Sequence, residues 1–179
     1  MDLIERVLEL SKEGTGHLQL KLEPISITEF IGDCVDMMTA ESKERKIELF
    51  NELSAADLPL AIADRARTRQ VLLNLISNGI KYNGDGGIVT LSAAEAADAA
   101  VLHIVVRDTG SRIPPAKSDQ LFELFNRLGR ETGEIKGTGI GLTISKQIVE
   151  QMNGKTGFES SEDHGSEFWI ELTRAPDDV

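Results

Sequence analysis

Asn74, Asn78, Lys81 and Tyr82 stand at offsets of 0, +4, +7 and +8 along one segment. At helical spacing they fall within an arc of roughly 100°. Leu72, Leu73, Ile76 and Ile80 take the other side, and Val71 falls inside the polar arc, so the stripe is not pure. A solvated helix face is the commoner setting for any single Asn or Lys. Such a face usually carries Glu as well as Lys. This one holds two amides, an amine and a phenol, with no carboxylate. Amide oxygens suit a hard cation such as Mg²⁺, an ammonium suits phosphate, and an aromatic ring stacks on a base.

Four further signals follow in the chain. Val105-Val106-Arg107-Asp108-Thr109-Gly110 puts a carboxylate at the end of an apolar run. By itself Asp-Thr-Gly reads as a common turn, and its functional reading is an acceptor for an exocyclic amine such as that of adenine. Phe122 and Phe125 sit three apart, as a core-facing pair on a short helix would, and Arg127, Arg130 and Lys136 follow them. Gly137-Thr138-Gly139-Ile140-Gly141-Leu142 opens an apolar helical run. Glycines there admit a ligand close to the backbone, and a helix N-terminus offers free N–H groups to an anion. That stretch follows no strand and lacks the Gly-Lys-Ser/Thr ending, so it is neither a dinucleotide fingerprint nor a P-loop. Gly165-Ser166-Glu167-Phe168 is a hairpin signal with no chemistry of its own.

The elements that must position these residues are legible in outline. The chain has 179 residues, 40% hydrophobic and 27% charged, which fits one ordinary domain with a packed core. Residues 1–13 carry Leu3, Ile4, Val7 and Leu8 at helical spacing, and Gly14-Thr15-Gly16 breaks the pattern. Leu18, Leu20 and Leu22 alternate as a short strand that Pro24 ends. Ser26 with Glu29 forms a capping box for a helix to about Lys46. Strands are expected at Ile47–Leu53 and Leu58–Ala63, and Asp64 caps a helix from Arg65 to Tyr82. After the turn at residues 83–87, strands follow at Ile88–Ala93 and Val101–Arg107. Residues 108–141 read as loop, with a short helical stretch at Asp119–Leu128. A helix at Gly139–Met152 and strands at Lys155–Ser160 and Ser166–Leu172 complete the domain, with a frayed tail over residues 175–179. Strands and helices in this mixed order imply an α+β fold. It is a two-layer sandwich with a mixed, mostly antiparallel sheet and helices on one face.

Composition excludes several functions. Lys+Arg number 19 against 30 Asp+Glu, a net charge of -11, which argues against nucleic-acid binding and against an anionic lipid surface. No run spans a membrane, and the N-terminus is no signal peptide. The single cysteine, Cys34, forms no internal disulfide and supplies no zinc cluster, which fits a reducing, cytoplasmic compartment.

The order of the motifs is more specific than any one of them. Asn74-Leu75-Ile76-Ser77-Asn78-Gly79-Ile80-Lys81-Tyr82, Asp108-Thr109-Gly110, Phe122-x-x-Phe125 and Gly137-Thr138-Gly139-Ile140-Gly141-Leu142 closely resemble the N, G1, F and G2 boxes of one family. It is that of the catalytic ATP-binding domains of bacterial sensor histidine kinases. They belong to the gyrase–Hsp90–histidine kinase–MutL superfamily, and Gly165-Ser166-x-Phe168 fits the same pattern. The likeness covers roughly residues 18–174. It implies the Bergerat-type ATP-binding fold over residues 15–174, preceded at residues 1–14 by the end of the second dimerisation helix. It also implies ATP and Mg²⁺ as ligands. Asn78 would ligate Mg²⁺ with Asn74 in support, Lys81 would contact phosphate and Tyr82 would pack on adenine. Asp108 would receive the adenine amine beside Gly110, with Arg112, Ile113, Phe122 and Ser166 also at the nucleotide. Residues 129–136 would form a lid. Lys136, Gly137, Thr138, Gly139, Ile140, Gly141 and Leu142 would surround the phosphates. Arg127 would reach the γ-phosphate and, with Lys81, serve catalysis.

The same resemblance implies the partners: a dimerisation domain bearing the phosphoacceptor histidine, and a response regulator downstream. The parent kinase would be a homodimer, with or without a membrane anchor, and this chain monomeric or weakly dimeric. His17, His103 and His164 lie outside the family's His-Glu/Asp context, so none is expected to accept phosphate. Arg112 stands where the G1 box usually has a second glycine. It predicts either a strained left-handed residue or a relaxed loop, and it keeps open a second reading, a degenerate nucleotide-binding module acting through protein contacts. Hydrolytic relatives carry Glu where this chain has Asn74. An amide takes no proton from water at neutral pH, which favours transfer over hydrolysis.

Overall fold

The computed structural model describes residues 19–53, 58–96, 100–123, 139–161 and 165–176. Five strands form the main sheet, in the order β2 (Glu48–Asn51), β4 (Ile88–Glu95), β5 (Val101–Asp108), β7 (Gly165–Thr173) and β6 (Lys155–Ser161). All pairings are antiparallel except β2 with β4. β1 (Leu22–Ile25) and β3 (Ala61–Asp64) form a separate antiparallel pair. Three helices, α1 (Ile27–Glu44), α2 (Arg65–Lys81) and α3 (Gly141–Gln151), lie on one face of the main sheet.

The two-residue period of the strands explains the layering. Leu102, Ile104 and Val106 of β5 and Phe168, Ile170 and Leu172 of β7 point into one core. There they meet Phe30, Ile31 and Cys34 of α1, Leu72 and Ile76 of α2, and Ile148 of α3. Burial pushes the Cys34 thiol up to about 11, so it is inert packing. The opposite face mixes polar and apolar groups: Arg107 donates to Glu167 at 2.8 and 2.6 Å, His103 lies 3.6 Å from Glu171, and Val105 pairs with Trp169 between them.

Asp64 sets where α2 begins. Its carboxylate accepts from the Arg67 N–H at 3.0 Å, as an N-cap does, and also from the Lys21 N–H at 2.8 Å. Burial pushes its pKa up, but bonds from the N–H groups of Arg67, Lys21 and Ala66 outweigh this and hold it below the ordinary carboxylate value. This stabilisation is therefore present above the unfolded pKa and lost as pH falls through the lowered one. Asp64→Ala is expected to cost about 1–2 kcal/mol at neutral pH, and less in acid. Urea unfolding of both chains at pH 7 and pH 3 measures this, and an equal cost at both pH values contradicts it.

Several boundaries differ from expectation. β1 runs through Pro24 rather than stopping there. It pairs on one side only, with β3, and a proline is tolerated where no ladder donor is required. A 3₁₀ turn at Pro115–Gln120 overlaps the start of the helical stretch expected at Asp119–Leu128, and residues 121–123 continue it as a turn and bend. Residues 124–128 lie outside the described residues. Ala175, expected in the frayed tail, is buried, and its N–H donates to Leu60 at 2.7 Å. The expected N-terminal helix also falls outside the described residues, and no described helix is long and apolar enough to cross a membrane.

Candidate nucleotide site

α2 carries the polar stripe along the edge of the core. Asn74, Asn78, Lys81 and Tyr82 are all half-buried. Val71, inside the same arc, is fully buried against the core, so the functional face starts one turn later than the arc alone suggests. Asn74 donates to Ser145 Oγ on α3 at 3.0 Å. A Cβ on Gly141 would overlap Asn74 Oδ1 and displace that amide, so glycine lets the start of α3 and the Asn74 side chain keep this close contact. This contact joins the Asn motif to the Gly-rich motif in space. Gly139 is left-handed at φ 69°. α3 begins with no side-chain cap, so its first N–H groups are not satisfied by a capping side chain.

Asp108 closes the other end. It sits at the last position of β5 and is only 5% exposed. Its Oδ1 accepts from the Gly110 N–H at 2.8 Å, and its carboxyl accepts a second bond from the Ser166 backbone. Burial nevertheless raises its pKa to about 6, against the pull of those two bonds. Gly110 packs under the C-terminus of α2: a Cβ there would lie 2.6 Å from the Tyr82 carbonyl oxygen and 2.8 Å from Asp108 Oδ1. The Ser111 N–H donates to that same Tyr82 oxygen at 3.3 Å. The Asp-Thr-Gly turn and the end of the stripe are thus one structure.

Other expected site residues are placed less directly at the cleft. Ile140 sends its side chain into the core, so only its backbone can face a ligand. Leu142 and Ile113 pack partly against the core. Phe122 packs against Phe158 with ring centroids 6.2 Å apart, beneath Lys146 Nζ at 5.4 Å, and its carbonyl accepts from Thr143 at 2.9 Å. Arg112 is exposed and not left-handed, so the strain alternative is overturned: the loop is relaxed, and glycine there would relieve no strain. Arg127, Lys136, Gly137 and Thr138, with the expected lid, lie outside the described residues.

Sequence reasoning missed three residues that organise the site. Asn83 Oδ1 accepts from Thr109 Oγ1 at 3.3 Å, and Thr109 Oγ1 accepts from the Ile88 N–H at 2.9 Å, which pins the turn after α2 to the turn after β5. Asn-Gly read only as a turn signal, and Thr109 only as its neighbour. Ser160 accepts from the Ile113 N–H at 3.0 Å, and no local pattern marks that contact across strands.

Together the fold and site define a nucleotide-binding α/β sandwich. An amide-lined helix meets a Gly-rich helix start at one end of the cleft and a buried carboxylate stands at the other. Residues 63–176 match the family described as Histidine kinase-, DNA gyrase B-, and HSP90-like ATPase. The chain is 37% identical to the sensor protein GacS of Pseudomonas syringae pv. syringae, over 96% of this chain and 19% of that one. It is 36% identical to the sensory/regulatory protein RpfC of Xanthomonas campestris pv. campestris, over 98% of this chain and 25% of that one. Full-length ShkA, solved in complex with AMPPNP, superposes with a TM-score of 0.83 at 29% identity, over 99% of this chain and 36% of that one. The chain belongs to the histidine kinase-, DNA gyrase B- and HSP90-like ATPase family, in its sensor histidine kinase branch. It corresponds to the ATP-binding catalytic domain and spans a quarter or less of GacS and RpfC.

Proposed function

We propose that this domain binds Mg-ATP and transfers the γ-phosphoryl group to a histidine on a separate dimerisation domain. The observation that carries this reading is the meeting of α2 and α3 at Asn74, Gly141 and Ser145. It sets the amide stripe beside a helix start able to bind anions, with Asp108 placed for a base. Asp108 accepts the adenine amine and Tyr82 covers the ring. Lys81 and the N–H groups at the start of α3 hold phosphate oxygens.

The donor set fits Mg²⁺. Asn78 offers an amide oxygen whose side chain has no hydrogen-bond partner among the described residues. No cluster of three or more His, Cys, Asp or Glu exists there to compete for the metal. Asn78 would hold the metal, which when bound offsets phosphate charge. Asn74 keeps its amide on Ser145 and supplies no base for water, so transfer to a protein acceptor is favoured over hydrolysis. Arg127 is assigned to the γ-phosphate as the charge that stabilises transfer. Physiologically, we assign a cytoplasmic setting, a homodimeric parent and a response regulator as the next acceptor.

The test is a mixing experiment. With labelled ATP, the chain alone is expected to acquire no acid-labile phosphate. His103, the described histidine, lies mid-strand against Trp169 and Glu171 rather than in an acceptor context. Addition of a separate dimerisation fragment should yield slow phosphohistidine on that fragment, because the proximity supplied by a covalent link is missing. Stable phosphohistidine on the chain itself, or none on any acceptor while ATP binds, contradicts the proposal.

A further inference from the structure

Ser160 lies on β6, outside every nucleotide motif. Register places Val89, Asp108, Ser166 and Ser160 in one row across β4, β5, β7 and β6. The preceding row on the same face, Leu91, Val106, Phe168 and Phe158, is apolar. The chemistry therefore changes abruptly where the core ends and the Asp108 loop begins.

Ser160 Oγ has three polar neighbours: the Ile113 N–H at 3.0 Å, the Gly165 carbonyl oxygen at 3.0 Å and Ser166 Oγ at 3.2 Å. A hydroxyl has one proton and two acceptor sites. The Gly165 carbonyl can only accept, so it takes the Ser160 proton, and Ser166 donates. Every bonding site of this hydroxyl is then used. It ties the loop after Asp108 to the hairpin that supplies Ser166, whose backbone bonds the Asp108 carboxyl.

We propose that Ser160 is a positioning residue for base recognition, holding residues 110–113 and Ser166 on either side of Asp108 so that the carboxylate faces an exocyclic amine. This rests on the reading of Asp108 as the adenine acceptor. Three backbone N–H groups tie the loop: Gly110 to Asp108 at 2.8 Å, Ser111 to Tyr82 at 3.3 Å and Ile113 to Ser160 at 3.0 Å. Loss of the hydroxyl removes the backbone tie at the far end of the loop and leaves the half-buried Ile113 N–H without its acceptor. Among the described residues, the phosphate end of the cleft, at Asn74 and Gly141, has no contact with this network. The defect is therefore confined to choice of base.

The experiment compares ATP with inosine triphosphate, which carries a carbonyl where adenine has its amine. Affinities are measured by calorimetry on the full chain, and melting temperatures are recorded in parallel. Ser160→Ala is expected to weaken ATP about tenfold and to leave inosine triphosphate within about twofold, so that the preference collapses. Ser160→Thr, which keeps the hydroxyl, should restore it. Should the alanine variant not fold, Ser160→Cys keeps the size with a weaker hydrogen-bonding group and should shift the preference in the same direction. Equal weakening of both nucleotides with a lowered melting temperature overturns the proposal and leaves a merely structural serine. Asp108→Asn separates the two levels. If it loses the preference while Ser160→Ala keeps it, only the Ser160 role fails. If it keeps the preference, the Asp108 reading and the Ser160 role fall together.

Discussion

Asn78→Ala is expected to remove Mg²⁺-dependent ATP binding and to leave the fold in place. The two halves of that result have separate causes. Asn78 stands on α2 between Asn74 and Tyr82, half-exposed, while Leu75, Ile76, Gly79 and Ile80 of the same turns make the core contacts. Truncation therefore opens no cavity. Alanine is the better helix former by about half a kcal/mol, so the melting temperature should hold or rise slightly. Changing a group that only orients a metal ligand costs roughly 10–100-fold in affinity, and loss of a ligand itself should cost at least that. With excess EDTA the variant and the parent should bind ATP equally weakly. Unchanged Mg-ATP affinity in calorimetry removes Asn78 from the metal site.

Asp108→Asn should trade affinity for stability. Its carboxyl is raised from 3.8 to about 6 by burial. The folded state therefore holds a proton more tightly than the unfolded state. The contribution is fully present below the unfolded value and is lost as pH rises through about 6. At pH 7 the buried charge costs roughly 2–3 kcal/mol. An asparagine keeps an oxygen for the Gly110 and Ser166 N–H groups without that charge. Its stability should thus exceed the parent's by a comparable amount at pH 7 and match it near pH 3.5. Its ATP affinity should fall roughly 10–100-fold, because an amide NH₂ now faces the base amine. For the parent, ATP affinity should itself weaken as pH drops below about 6 and the carboxylate is protonated. An Asn variant that is less stable at pH 7, or an affinity flat from pH 7 to 5, contradicts this account.

The sequence made the helices and the central strands legible because their signals are local. Asp64 with a 3.6-residue pattern announces α2, and Ser26 announces α1, whose Glu29 N–H it accepts at 3.4 Å. The apolar run that ends at Asp108 announces β5. The site was legible where one helix or one turn carries it, as at Asn74, Asn78, Asp108 and Gly141. It was not legible where contacts cross strands. Ser160 meets Ile113 across 47 residues of sequence, and nothing near either residue signals it. Pro24 misled because a proline disrupts only a strand that needs its missing donor, and β1 does not. Arg112 left two backbones open, a left-handed residue or a relaxed loop, and the backbone there is not left-handed.

The central seam of the sheet has a kinetic meaning. β4 and β5 are neighbours along the chain, whereas β5 and β7 pair residues roughly 60 or more positions apart, which is slow contact formation. Asp108 and Ser166 face each other across that seam. The base end of the cleft therefore exists only after this long-range strand pairing has closed, and a chain without it lacks that end. Nucleotide becomes a folding ligand that acts on the finished domain alone. At a hundredfold excess over its dissociation constant it would add about 2.7 kcal/mol to the stability of the folded state.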